Sequence, residues 1–216
     1  MVEVARLLNA PVGSNCFVIF DKTTGHNCII VDPGSRNNEQ LYAFLKKEQL
    51  IPHFIVLTHE HFDHCWGVND LVDIYHIPIV CSALCSECIQ FEKRNCSVFY
   101  DNKEPFVITS KTITVESLNY VLPFADTKLR FFTTPGHTNA SVCFTVGHAL
   151  FTGDTLIKDL RTVTKLPTGS VSKLRESIDL FKRFQGEGYI VYPGHGDLFE
   201  LDGYALELMI MGEVPK

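Results

Sequence analysis

Apolar and polar positions along this chain alternate between a strand-like and a helix-like period. Asn15-Cys16-Phe17-Val18-Ile19-Phe20 reads as a strand and Cys28-Ile29-Ile30-Val31 as its return, with a polar, Gly-containing turn over 21–27 between them. Asp32-Pro33-Gly34 ends the second strand sharply. Leu41, Phe44 and Leu45 then recur at helical spacing ahead of Lys46, Lys47 and Glu48, predicting an amphipathic helix over 38–49. Phe54-Ile55-Val56-Leu57 is short and wholly apolar, the pattern of a strand buried on both faces. A polar loop follows, then a helix over 67–75 and a strand over 79–81. No clear period fixes residues 95–127, although 107–115 carries the β-branched residues of a strand.

The second half echoes the first. Leu129-Arg130-Phe131-Phe132 leads to Pro135-Gly136-His137, and Ser141–Val146 turns at Gly147-His148 to return as Ala149–Thr152 and end at Gly153-Asp154. Each half thus holds a hairpin whose return strand finishes in an Asp beside Gly or Pro, a hint of internal duplication. Leu174, Ile178 and Phe181 mark a helix over 171–184, and Tyr189–Tyr192 a strand that runs into Pro193-Gly194-His195-Gly196. Strands and helices alternate without a Pro/Ser-rich linker, which predicts one layered α/β domain over 1–216.

Composition narrows the class. The chain has 216 residues, 45% of them apolar and 20% charged, as in an ordinary soluble globule. It has no apolar run of the length a membrane span needs, and Met1–Arg6 does not begin a secretory signal. A net charge of −6 disfavours a nucleic-acid partner. The 8 cysteines, in a chain of this size without an export signal, read as reduced thiols of a cytoplasmic protein. Cys81, Cys85 and Cys88 would share one face of a helix. With Cys96 they pose a choice between a metal or redox cluster and a buried face, and the lack of knuckle turns favours the buried face.

The densest chemistry is in the loop after Leu57, where Thr58 precedes His59, Glu60, His61, Phe62, Asp63 and His64. Imidazole nitrogen and carboxylate oxygen are the ligands that zinc and similar divalent ions take. Burying so many imidazoles without a metal would leave polar nitrogens unsatisfied. His137, Asp154 and His195 also sit at strand ends beside Gly, where the backbone can approach a bound centre closely. Taken singly, these three read as turn or capping residues. His26, His53, His76 and His148 read as surface or turn residues, and Trp66 as packing beneath the loop.

As a set, His-x-His-x-Asp-His, Pro-Gly-His-Thr, Gly-Asp and Gly-His, together with Val31-Asp32-Pro33-Gly34, resemble the five motifs of the metallo-β-lactamase superfamily, and they span residues 31–196. The resemblance implies an αββα sandwich with metals at one edge between two sheets. It also implies that His59, His61 and His137 bind a first metal, that Asp63, His64 and His195 bind a second, and that Asp154 bridges them. Asp32 would orient a ligand histidine, and Asp63 is the candidate for any proton shuttling. The pattern is most similar to the glyoxalase II-like hydrolases, because Asp154 supplies an acidic bridge and His61 stands where the diiron flavoproteins place Glu.

Two departures from that branch stand out. Few residues follow His195, so the C-terminal helical domain that holds glutathione in glyoxalase II is not expected. Val163 and Lys165 stand where a Gly-Arg-Ser/Thr-Asp segment would place Arg and Asp. The activity implied is hydrolysis of a small thioester or related acyl compound by a hydroxide shared between two divalent ions, zinc first and iron or manganese as alternatives. Arg161 and Lys165 are candidate contacts for an anionic substrate. The alternatives are a mononuclear iron enzyme resembling the persulfide dioxygenases and a non-catalytic metal-binding protein of the same fold. The partner expected is a small molecule, with neither nucleic acid nor membrane; the sequence carries no sign of oligomeric state.

Overall fold

The computed structural model describes residues 2–23, 25–100, 104–115, 120–211 and 213. Two mixed sheets of six strands each lie face to face. The first is ordered β1 (Glu3–Leu8), β2 (Asn15–Phe20), β3 (Asn27–Val31), β4 (Ile51–Val56), β5 (Ile79–Ser82) and β6 (Thr112–Val115). The second runs from β7 (Tyr120–Phe124) through β8 (Thr127–Thr133), β9 (Val142–Val146), β10 (Ala149–Gly153) and β11 (Ile190–Pro193) to β12 (Phe199–Glu200). Helices α1 (Glu39–Lys47), α2 (Phe62–Cys65), α3 (Val68–Tyr75) and α4 (Ala83–Cys88) belong to the first half, α5 (Val171–Asp179) and α6 (Leu206–Met211) to the second.

Strand periodicity sorts the core into three layers. Alternate residues of a strand face opposite sides, so in β2 Phe17 and Ile19 point to the space between the sheets, while Cys16, Val18 and Phe20 point outward. Phe54 and Val56 face inward in the same way, and Ile55 and Leu57 face outward. The inner layer is completed from the second sheet by Phe131, Val142, Phe144 and Phe151, with Phe144 and Phe151 stacked at 4.5 Å. Leu41 and Leu45 of α1 and Val68 and Leu71 of α3 cover one outer face. Leu174 and Ile178 of α5, with Leu206 and Met209 of α6, cover the other. The αββα sandwich follows from strands apolar on both faces meeting helices apolar on one.

The echo between the halves extends to topology. β1–β2 and β2–β3 pair antiparallel and β3–β4 parallel; β8–β9 and β9–β10 pair antiparallel and β10–β11 parallel. In both sheets an Asp, Asp32 or Asp154, follows the third strand of this unit, and a ligand-type His, His59 or His195, follows the fourth. Parallel pairing of the third and fourth strands brings these residues to the same edge.

Some expectations shift. The helix over 38–49 is Glu39–Lys47, capped by the Asn38 side chain, and the one over 171–184 is α5 continued by a 3-10 turn at Leu180–Phe184. Cys81 lies on strand β5 and α4 begins only at Ala83, so the three cysteines do not share a helical face. All 8 cysteines are free and buried, and no Cys is among the described groups able to hold a metal. Among the described residues no helix is long and apolar enough to cross a membrane.

Candidate metal centre

The loops leaving β3, β4, β8, β10 and β11 converge at one edge of the sandwich, and main-chain hydrogen bonds fix them there. Asp32 N–H donates to Val56 O (3.0 Å), Val142 N–H to Thr58 O (2.8 Å) and Gly194 N–H to Gly153 O (2.8 Å). The Val142 bond is a stitch from the second sheet to the histidine loop of the first. Asn15, fully buried, donates its side-chain amide to Pro193 O (2.8 Å) and Gly196 O (2.9 Å), tying β2 to the turn that carries His195. Gly194 lies so close to the cluster that a Cβ there would sit 2.2 Å from Asp154 Oδ1 and 2.8 Å from His64 Cε1. Gly153, at φ +48°, presses against the Thr58 side chain, 2.5 Å from where its Cβ would be.

All seven sequence-predicted ligand side chains meet at this edge. Among the described residues they fall into three overlapping groups, His59–His61–His137, His59–His64–Asp154 and Asp63–His64–His195, with ligand atoms within 4.8 Å of one another in each. His61 Nδ1 and His137 Nε2 approach to 2.9 Å and His195 Nε2 and Asp63 Oδ2 to 3.2 Å. Asp154 stands between the outer groups: its Oδ1 is 3.5 Å from His64 Nε2, and its Oδ2 is 3.6 Å from both His137 and His195 Nε2. The His59, His61, His64 and His137 side chains are buried, whereas His195 is 24% exposed, so the cluster opens on the His195 side.

Three of the buried imidazoles, His59, His64 and His137, have the nitrogen turned from the cluster held by a partner. His64 Nδ1 meets Asp32 Oδ2 at 3.0 Å, and His137 Nδ1 donates to Val163 O at 2.7 Å, which leaves both Nε2 atoms facing the cluster. Asp32 also accepts from Thr58 N–H (2.8 Å) and Thr58 Oγ1–H (2.6 Å). The same hydroxyl lies 3.1 Å from His59 Nδ1 and accepts its proton. One carboxylate therefore orients two imidazoles, one directly and one through Thr58, whose role sequence reasoning missed. It missed a second link as well: Thr138 Oγ1–H donates to the buried Glu60 carboxylate at 2.9 Å, joining the His59/His61 loop to the His137 loop.

The residues fit divalent metal. His59 Nε2 and Asp154 Oδ1 are buried without a hydrogen-bond partner, an expense that coordination removes. Nitrogen and carboxylate donors suit zinc, and iron accepts the same set. Burial first, then the neighbouring imidazoles, holds His59 far below the usual histidine pKa and brings His61 to about 3, so both present lone pairs. At the other end burial also opposes charge on His64, but Asp63, Asp154 and Asp32 outweigh it and lift the pKa to about 10. Burial would raise the Asp63 pKa, yet His64 and His195 hold it below the carboxylate range. A metal entering between Asp63, His64 and His195 must displace a proton, so its affinity rises with pH.

Arg161 and Lys165 are both exposed, and Arg161 lines a crevice of about 20 Å³ with Arg175 of α5. His26, His53, His76 and His148 are exposed, as expected.

Residues 9–195 match the family model of the metallo-β-lactamase superfamily. The chain belongs to that superfamily. It is 31% identical to an uncharacterized protein of Mycobacterium leprae over 195 residues, 85% of this chain and 86% of that one. A hydroxyacylglutathione hydrolase of Buchnera aphidicola is 29% identical over 197 residues, covering 77% of this chain and 68% of the relative. The crystal structure of the B3 metallo-β-lactamase BLEG-1 superposes with a TM-score of 0.83 at 28% identity, over 92% of this chain and 94% of that one. Superfamily membership and the His/Asp cluster make the chain a metal-binding member of a hydrolytic superfamily.

Two outcomes are expected. Replacing Asp32 by Ala frees both imidazoles it orients and lowers zinc affinity about 10–100-fold, measured by competition with a chromophoric chelator. Chelator-treated protein is most stable near the unfolded histidine pKa of about 6.5. Below it the unfolded chain takes up protons that buried His59 and His61 refuse, and stability falls as pH drops toward the His61 value of about 3. Above it folded His64 keeps a proton the unfolded chain releases, and stability falls as pH rises toward about 10. Urea midpoints across this range, highest near neutral pH, check the sign at both ends; a steady rise through it contradicts the assignment.

Proposed function

We propose that this chain is a dinuclear metal-dependent hydrolase acting on a small thioester or related acyl compound, and that residues 1–216 form a single domain for that purpose. The observation that carries the reading is the position of Asp154, whose two carboxylate oxygens face His64 on one side and His137 and His195 on the other. A carboxylate so placed serves two centres at once. His59, His61 and His137 would hold one ion, Asp63, His64 and His195 the other, and Asp154 would join them. When bound, two divalent ions supply Lewis acidity toward an acyl oxygen and lower the pKa of water into the neutral range.

The chain's own residues supply the rest. Asp32 and Thr58 keep the Nδ1 protons of His64 and His59 turned away from the cluster, so the Nε2 lone pairs face it. Asp63 and His195 line the open side, where substrate would enter, and Asp63, first of all a ligand, is the carboxylate to which we assign any proton transfer there. A thiolate leaves with little protonation, which suits a site with no separate acid at its mouth among the described residues. Arg161 and Lys165, exposed on the segment after Asp154, are two cations available to an anionic group on the leaving thiol. The chemistry of the donor set favours zinc.

His61→Ala and Asp154→Ala are expected to fold as the parent does, to lose bound metal, and to lower thioester hydrolysis by at least about 10²-fold, the scale of removing a group that stabilises transition-state charge. The check is kcat/KM on a thioester panel alongside metal content and circular dichroism. Undiminished hydrolysis by either metal-replete variant would falsify the assignment.

A further inference from the structure

The histidine loop contributes Phe62 to a pocket of about 340 Å³, which is lined also by Cys96, Phe99, Tyr100, Leu166 and Pro167. None of these described lining residues is charged. The volume is at the small end for ligand sites, room for a chain or a ring rather than a cofactor.

Each wall is anchored. Phe62 stands between His61 and Asp63, its ring 4.8 Å from Tyr100 and 6.4 Å from Trp66, so the metal loop itself forms one side. The Cys96–Tyr100 turn is fixed by fully buried Asn95, whose amide donates to Phe106 O (2.8 Å) and whose oxygen accepts from Ser97 N–H (2.9 Å). Leu166 and Pro167 belong to a segment tied to the third ligand loop. His137 Nδ1 donates to Val163 O (2.7 Å), Ser170 N–H to Gly136 O (2.8 Å) and Asn139 N–H to Thr168 Oγ1 (3.1 Å). Two of the walls are thus extensions of loops that carry metal ligands. Phe99 is nevertheless 66% exposed and Leu166 40% exposed, apolar surface held open to water in a pocket that one of the ligand-type loops helps to wall.

We infer that this pocket receives the acyl group of the substrate, and that the enzyme prefers acyl compounds with an apolar chain or ring over short hydroxyacyl ones. The inference rests on the hydrolase reading above and narrows it. A hydroxyl placed among these side chains would give up its water for at most the Tyr100 hydroxyl or the Cys96 thiol, whereas each methylene gains the free energy of leaving water. Phe62 stands between His61 and Asp63 in the chain, so a group seated in the pocket rests against the loop that carries both, and the carbonyl of a bound acyl group would be placed toward them.

The test uses the full-length, zinc-loaded protein and the acetyl, butyryl, hexanoyl and octanoyl thioesters of N-acetylcysteamine, so that only the acyl group varies. kcat/KM should rise about fourfold per methylene, the fold-change for burying one CH₂, until the pocket is filled. Leu166→Asn and Phe99→Asn should flatten the rise. Phe91→Asn, on an exposed apolar residue that does not line this pocket, should leave its slope as it is. Binding of butyrate, hexanoate and octanoate, followed by the fluorescence of Trp66, the chain's 1 tryptophan, should tighten in the same order.

Hydrolysis without chain-length dependence overturns the inference and leaves the hydrolase reading standing. Failure to hydrolyse any thioester overturns the hydrolase reading. In that case fatty-acid binding still decides the pocket, and equal affinity for the short and long acids counts against it.

Discussion

The structure turns on a single demand: five imidazoles and two carboxylates must share one edge of a sandwich without leaving polar atoms stranded. Bare burial of such groups costs several kcal/mol each, so the arrangement persists only where every outward-turned nitrogen has a partner and every inward-turned one has a ligand. Asp32 is the hub of that arrangement. It accepts from Thr58 N–H, the Thr58 hydroxyl and His64, and through Thr58 it reaches His59. The cross-sheet bond from Val142 N–H to Thr58 O then makes the same threonine the point at which the second sheet joins the site.

Repetition explains how the fold meets this demand. Two antiparallel pairings and a parallel one recur in each sheet, and in each the third strand ends in Asp and the fourth in a ligand-type His. The first copy uses its Asp to orient imidazoles; the second turns its Asp into the cluster. One local plan thus yields both the carboxylate that stands between the outer groups, Asp154, and the one that steadies its neighbours, Asp32. Gly194 and Gly153 let the two copies close to distances no other residue allows.

What could be read from the chain follows from how its strands are buried. β2, β3, β4, β9 and β10 lie inside their sheets and are apolar on both faces, so continuous runs announced them. β1, β7 and β12 went unread and β6 was ambiguous, and all four are edge strands, half exposed and without a clean alternation. That seven His and Asp side chains would gather at one edge was legible because their motifs, taken as a set, resemble those of the superfamily. Thr58 and the Glu60–Thr138 link were not, since their meaning depends on partners far along the chain. The apolar pocket was hidden for the same reason: Phe62, Phe99 and Leu166 come from three segments, one of them in the stretch without a clear period.

Anomalous diffraction from a crystal of the zinc-loaded protein tests the central claim most directly. The account predicts two zinc peaks per chain, roughly 3.5–4 Å apart as in other paired sites, one on each side of the Asp154 carboxylate. A single fully occupied peak held by one of the outer ligand groups, with Asp154 turned away from it, would contradict the claim.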